Sequence, residues 1–353
     1  MTTTKPAKPK PTLAARPDPI QKRARPGTVS HAFYRLTERR RARAGVLVLA
    51  MLAMVAIFAD LVASEFPLLC SIDGVVYVLP AVTHPASLTG LDNQQIAKLH
   101  PSFVLYPLVR YGPTTQGPEK VRGPSREHPF GTDGNGRDVF AQTLHGVRTQ
   151  LGFALLTVLA YVTLGSLLGA VAGYFGGSAD FVTQRVTDTM GSMPSFVLIL
   201  CVQAALPHPD LGTLFLTIVA ARFAEVARLV RTEVVDVSSR DYVLAARALG
   251  ASPARVLFRH VLPNARGQAI VSATFGLGAV VLLEAQLDFL HVGDRGRYAS
   301  WGQVMSDVRD RPDAYWLLLF PGLFLMITLV ASNLVGEALR DALDPRELQR
   351  KRR

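Results

Sequence analysis

The side chains best placed for chemistry are two pairs of ionisable residues inside otherwise apolar segments. Arg222 and Glu225 are three residues apart and Glu284 and Asp288 are four apart, so each pair would share one helix face. An ionisable group at the centre of a spanning helix costs about 2.5–3.5 kcal/mol. One interpretation is that both pairs line a polar translocation path. The other is structural: the first pair neutralises itself, and the second reaches water at the interface.

Motifs typical of enzyme active sites are absent from the sequence. The eight histidines never have HxxxH or HExxH spacing, and no GxSxG or Cys–His nucleophile pattern occurs. The glycine cluster in HPFGTDGNGRDVF (128–140) lacks the GxxxxGK of a phosphate loop and favours a turn that leads into a helix. Cys70, expected in a loop, and Cys201 give no disulfide framework. We therefore expect no catalytic residue, no metal and no cofactor, and a chain that is not an enzyme.

The distribution of apolar residues predicts an all-α, polytopic membrane protein. Apolar residues make up 49% of the 353 residues and charged residues 18%, and the charges fall in blocks between apolar runs. A spanning helix needs about 20 predominantly apolar residues. We interpret six runs as transmembrane helices: residues 44–63, 151–175, 190–206, 211–230, 269–290 and 315–335.

The distribution of charge predicts that both termini are cytoplasmic. The net charge is +11, and residues 1–43 hold twelve Lys or Arg against Asp18 and Glu38. Residues 337–353 hold six basic and four acidic residues, whereas residues 64–150 hold seven of each. Basic residues beside spans mark the cytoplasmic side. Two cytoplasmic termini require an even number of crossings, and six satisfies this.

These boundaries divide the chain into five parts. The first apolar run is longer than that of a typical signal peptide, so we interpret it as an uncleaved span. The segment after it is a small folded insert or a lid, with strand-like pieces such as GVVYVL (74–79). The parts are a basic, largely disordered N-terminus (1–43), the first transmembrane helix (44–64), an external insert (65–127), a core with five transmembrane helices (128–336) and a cytoplasmic tail (337–353).

A polar, Arg-rich loop at residues 238–264 separates the fourth and fifth predicted spans. The serines at 238–239 can cap a short helix, and Gly250 can take the left-handed conformation that ends it. Ser-Pro at 252–253 predicts the start of a second helix, which Pro263 would end. Two short helices at an angle would form a knob that fits a groove on another protein.

Within this loop residues 244–246 are Leu-Ala-Ala, Gly250 follows after three residues, and Leu-Pro stands at 262–263. This order resembles the coupling loop of permease subunits in ATP-binding-cassette importers, whose pattern is EAA, three residues, then Gly, ending near Leu-Pro. Other stretches resemble the C-type permease subunit of dipeptide and oligopeptide importers. They are FGTDGNGRDVF (130–140), GAVAGYFGG (169–177), YVLAARALGAS (242–252), FRHVLPNA (258–265) and EALRDALDPRE (337–347).

The resemblance implies a type I importer permease core, formed by the last five spans, in a bacterial cytoplasmic (inner) membrane. It implies that di- or oligopeptides are carried, and that loop 238–264 is a cytoplasmic coupling loop. It also implies three kinds of partner: a homologous permease subunit, two cytoplasmic ATPases and an external binding protein. No nucleic acid is expected as a partner, because the basic N-terminus has no aromatic interleaving and no recognisable nucleic-acid-binding fold around it. The coupling residues would be Tyr242, Ala245, Ala246, Arg247, Gly250, Phe258 and Pro263.

Two departures bear on these expectations. Leu244 replaces the family glutamate, so a charged contact there is not carried over, and docking would rest on alanine packing and Arg247. The insert, with VLPAVTHPA (78–86), looks more like permeases of the microcin-uptake type. The alternatives are an importer of nickel complexes or other small solutes, a channel or scaffold that recruits a cytoplasmic partner, and an intramembrane enzyme.

Overall fold

The computed structural model describes residues 40–72, 74–88, 91, 93–292 and 298–343, which are mostly helical. The predicted disorder of the N-terminus (1–43) lies outside this part except for residues 40–43, which belong to the first helix. The longer helices are α1 (Arg40–Val62), α4 (Val139–Phe175), α5 (Gly177–Gly191), α6 (Ser195–Ala205), α7 (Leu211–Ser238), α8 (Asp241–Ala248), α11 (Gly267–Phe289) and α13 (Trp316–Leu343). The short ones are α2 (Pro80–Thr83), α3 (Asn93–Lys98), α9 (Pro253–Val256), α10 (Leu262–Ala265) and α12 (Trp301–Ser306). The strands are β1 (Leu69–Ile72), β2 (Val75–Val78) and β3 (Phe103–Leu105).

Four described helices are long and apolar enough to cross a membrane: α1, α4, α11 and α13. The pair α5–α6 qualifies as a fifth when taken together, but it is bent by 78°. The predicted third span, 190–206, is therefore not one continuous helix, and only Ser195–Ala205 of it forms α6. The helix breaks before Pro194, which lacks an N–H and disfavours the helical conformation of the residue that precedes it. Length and composition thus support four or five spans.

Helix α7, the predicted fourth span, is long but more polar than these. It has 28 residues and begins with a reciprocal cap between Asp210 and Thr213. Its first 18 residues include three charged side chains, Arg222, Glu225 and Arg228. Six spans therefore stay a prediction that includes α7.

Helices α4 and α7 form the most extensive helix–helix contact of the described part. Gly165, Gly169 and Gly173 lie on the side of α4 that meets α7, as their four-residue spacing predicts. A Cβ on Gly165 would lie 2.6 Å from the carbonyl oxygen of Phe223, and one on Gly173 would lie 2.7 Å from that of Arg231. The two backbones approach so closely because these positions have no side chain.

A bidentate ion pair ties the bent helix pair to α7. The Asp180 carboxylate on α5 accepts hydrogen bonds from Nε and Nη2 of Arg231, with 2.7 Å between Nη2 and Oδ2. Helix α5 is thus fixed to the C-terminal half of α7.

Between α1 and α4 the chain folds around a three-stranded antiparallel sheet in the order β2–β1–β3. Leu69 pairs with Val78 on one side and Leu105 on the other. The all-α prediction is therefore incomplete, although GVVYVL correctly predicts β2. Cys70, expected in a loop, is buried in β1. It packs in a separate small core with Phe66, Ile72, Ala81, Leu88 and Ile96.

The glycine-rich segment before α4 is a turn that leads into a helix, as predicted. Asp138 caps α4 by accepting the Ala141 N–H at 2.7 Å, and its other oxygen lies 2.7 Å from Nδ1 of His128. The buried Asp133 carboxylate accepts from Arg137 Nε at 2.7 Å and from Gln142 Nε2 at 2.9 Å. These bonds fix the glycine-rich segment against the N-terminus of α4.

Candidate coupling loop and polar cavity

The loop at 238–264 begins with α8, which lies directly after α7. The serines at 238–239 finish α7 instead of capping α8, and Ser239 Oγ donates to the Asp236 carbonyl at 2.7 Å. The cap position of α8 is Arg240, which makes no side-chain cap hydrogen bond. This part of the prediction is wrong by one or two residues, because the apolar stripe of α7 continues to the buried Val237.

Gly250 ends the first helical part of the loop in the left-handed conformation, with φ of 81°. A Cβ there would meet nothing within 4 Å, so the requirement for glycine comes from the backbone and not from packing. Pro253 is then the first residue of α9, as Ser-Pro at 252–253 predicts. The turn at Gly250 is thus the feature of the loop that the sequence predicts best.

The second helical part of the loop does not end at Pro263, which is a correction. A π-turn over Leu257–Val261 precedes the proline, with the Leu262 N–H bonded to the Leu257 carbonyl. This wider turn frees carbonyls in the preceding segment, so the missing proline N–H and its ring are tolerated. Pro263 therefore lies inside α10, and the helical path leads on toward α11.

The inner face of the loop belongs to the main hydrophobic core. Val243, Val256 and Val261 are fully buried, in the same cluster as Val234 and Val237 of α7. The loop is thus packed onto the end of α7. A displacement of its surface would be transmitted to α7 and, through α10, to α11.

The outer face of the loop is apolar and exposed. The exposed fractions are 43% for Tyr242, 49% for Leu244, 88% for Leu249 and 54% for Phe258. The other predicted coupling residues are Ala245, Arg247, Gly250 and Pro263, which are exposed, and Ala246, which is half-buried. An exposed apolar group on a short, well-anchored helix pair is typical of a protein-docking surface.

Arg247, predicted as a docking residue, also has an internal contact. Its Cζ lies 4.8 Å from the ring centroid of Tyr174, near the C-terminal end of α4. A guanidinium over an aromatic face is attractive by about 0.5–1 kcal/mol at exposed sites. Arg247 therefore links the loop to α4, while the side chain stays exposed.

A polar cavity of about 390 Å³ lies between α7, α11 and the end of α13. Arg222 and Glu225 both line it, with 3.5 Å between Nη2 and Oε2. Gln268 and Ser272 of α11 and Arg340 of α13 line it as well. Sequence reasoning missed these three, although the four-residue spacing of Gln268 and Ser272 was a signal for one polar face.

The Arg222 guanidinium is held in place by an aromatic neighbour. Its Cζ lies 6.0 Å from the ring centroid of Tyr161 on α4, and its Nε is buried without a hydrogen-bond partner among the described residues. The Tyr161 hydroxyl fits against Gly276 of α11, where a Cβ would overlap it. The cavity thus has a guanidinium with unused hydrogen-bonding capacity and a nearby carboxylate.

Glu284 and Asp288 do not line this cavity. Their exposed fractions are only 1% and 4%, so the expectation that they reach interface water is wrong for this conformation. Glu284 accepts a hydrogen bond from Nε2 of the buried Gln150 on α4. The two predicted pairs are therefore in different places: one lines a cavity, and the other is buried, with Glu284 facing α4 and Asp288 lying against Gly302 of α12.

Sequence comparison identifies the family of the chain. Residues 165–349, just over half of the chain, match the family described as binding-protein-dependent transport system inner membrane component. The chain belongs to this family. It is accordingly a multi-pass inner-membrane permease subunit of a transport system.

Three curated relatives have similar sequences. The dipeptide transport system permease protein of Alkalihalophilus pseudofirmus is 36% identical over 233 residues, covering 66% of this chain and 76% of the relative. The oligopeptide transport system permease protein of Bacillus subtilis is 35% identical, covering 63% and 73%. The probable D,D-dipeptide transport system permease protein of Escherichia coli is 37% identical, covering 63% and 75%. The predicted C-type peptide permease family is thereby confirmed.

Proposed function

We propose that this chain is the permease subunit of an ATP-driven importer of di- and oligopeptides. The substrate class is supported by the names of the three relatives, which are permeases of dipeptide, oligopeptide and D,D-dipeptide transport systems. In this proposal the chain crosses the membrane six times with both termini in the cytoplasm. It pairs with a homologous permease, and an external binding protein delivers the peptide.

The observation that carries the proposal is the construction of loop 238–264. Its inner face is part of the core with α7, whereas its outer face exposes Leu244, Leu249 and Phe258. Two cytoplasmic ATPases would dock on this outer face, and ATP-driven closure would move the loop and rock α7 and α11. Because Leu244 replaces the family glutamate, apolar contacts would contribute more of the docking affinity.

We propose the cavity beside α7 as part of the translocation path. A peptide is a zwitterion, and Arg222 and Glu225 offer one group of each sign at the cavity wall. Their mutual distance of 3.5 Å leaves the pair weakly bonded, so a solute can compete for either partner. Glu284 and Asp288 would join the path only after α11 and α4 separate.

The test is uptake of a labelled dipeptide by cells that carry the whole transport system, with ATPase co-purification as a second readout. Leu249→Asp places a charge on the most exposed leucine of the loop, so we expect loss of both uptake and ATPase binding. Leu249→Met keeps an apolar side chain and should retain both. Normal uptake by Leu249→Asp would refute the docking role of the loop.

The alternatives predict different results in the same assay. Uptake of a nickel chelate without uptake of peptides would show that the substrate is a nickel complex. The role of the chain as a permease would be unaffected. Solute entry that continues without ATP would indicate a channel instead of an importer.

A further inference from the structure

A second cavity, of about 480 Å³, lies in the insert, far along the chain from the path residues. Its walls come from α3, from the segment after β3 and from the approach to α4. The polar lining is Asn93, Tyr106, Arg110, Tyr111, Arg126 and Glu127, and the apolar lining is Ala97 and Leu108. Its volume is within the range of about 300–1,000 Å³ that is typical of small-molecule sites.

Two arginines give the cavity its charge. Arg110 and Arg126 line it, and neither forms an ion pair with a carboxylate of the described residues. Arg110 instead lies over the Tyr106 ring, with Cζ 4.3 Å from the centroid. Glu127, the one acidic lining residue, is already 3.5 Å from Arg122. The charged groups of the cavity that have no ion-pair partner in the described part, Arg110 and Arg126, are therefore positive.

Neutral polar groups complete the lining. Asn93 is only 6% exposed, and its Nδ2 donates to the carbonyls of Ser64 and Arg110, at 3.0 and 2.8 Å. The second of these bonds holds the backbone of Arg110 at the cavity wall. Burial, followed by the nearby carboxylates of Glu127, Asp138 and Glu119, raises the pKa of Tyr111. The Tyr111 hydroxyl can donate a hydrogen bond to a ligand.

We propose that this cavity in the insert is a binding site for a small organic carboxylate with an apolar or aromatic body. The carboxylate would be held by Arg110 and Arg126, since a guanidinium is the side chain best matched to a carboxylate. The two tyrosine rings and Leu108 would contact the body of the ligand. A short peptide that ends in an aromatic residue has this chemistry. The site would be external under the proposed topology, but the binding itself does not rest on the proposed function.

Binding of alanyl-phenylalanine to the full-length chain in lipid nanodiscs, measured by calorimetry, tests the inference. The C-terminal amide of the same dipeptide lacks the carboxylate, and we expect it to bind about tenfold more weakly or worse. Arg110→Ala and Arg126→Ala should each weaken binding of the acid by a similar factor. Lys120→Ala, an exposed cation of the insert outside the cavity, should bind as the wild type.

Three results would overturn the inference. They are equal affinity for the acid and the amide, wild-type affinity in the Arg110→Ala/Arg126→Ala double variant, and inorganic phosphate binding as tightly as the dipeptide. A chain that supports dipeptide uptake and yet fails this binding test would overturn the inference alone. The proposed function would then stand.

Discussion

At the level of single residues, glycine has two different roles in this chain. On α4 it removes bulk: Gly169 lies against the backbone of Ala227, and even one methyl group would overlap the carbonyl there. In loop 238–264 it permits a conformation, since Gly250 has open space around it and a positive φ. The sequence shows both as glycine, and only the structure separates the two reasons.

The packing role predicts the effect of Gly169→Ala. Overpacking of a close helix contact costs about 1–3 kcal/mol, so we expect a lower Tm of the protein in nanodiscs. Gly152→Ala is the matched control, because it lies on the same helix and its Cβ would meet nothing within 4 Å. An unchanged Tm for Gly169→Ala would mean that α4 and α7 are not as close as described.

At the level of helices, proline produces two interruptions with different outcomes. At Pro194 the helix breaks and the chain bends, which gives the pair α5–α6. At Pro263 the preceding π-turn makes room for the proline ring, and the helical path continues. The loop thus has a sharp turn at Gly250 and an unbroken helical path at Pro263. A helical second half is compatible with the proposed passage of motion to α11.

The sharp turn predicts opposite results for two substitutions at Gly250. Gly250→Pro requires φ near −65° where the structure has 81°, a change that costs about 3 kcal/mol or more. We expect loss of uptake and of ATPase co-purification, with membrane insertion retained. Gly250→Asn should keep both activities, because asparagine tolerates the left-handed region. Wild-type uptake by the proline variant would refute the role of the turn.

At the level of the whole molecule, the proposed topology predicts which residues can be labelled from each side. In a chain with Cys201→Ser, Leu249→Cys should react with a membrane-impermeant thiol reagent only from the cytoplasm. Lys120→Cys should react only from the outside. The native Cys70 is buried and should not be labelled from either side. Labelling of both engineered cysteines from one side would contradict six crossings.

Local signals account for what the sequence predicts well. The runs that became α1, α4, α11 and α13 are predominantly apolar, and the turn at Gly250 depends on a few neighbouring residues. The polar cavity was beyond prediction, because Gln268 and Arg340 come together only when α11 and α13 pack. The role of Glu284 was also missed, since its partner Gln150 is 134 positions away. Contacts of this kind depend on how helices cross, which composition does not encode.

The glycine face of α4 also has a consequence for biogenesis. During synthesis α4 enters the membrane before α7 exists, with the bent pair α5–α6 made in between. Its small residues must therefore face lipid or the insertion machinery until α7 arrives, since helices insert first and associate afterwards. A nascent chain that ended after α6 would hold an inserted α4 with no partner for its glycine face. The arrival of α7 is thus the step at which the most extensive helix–helix contact of the described part can form.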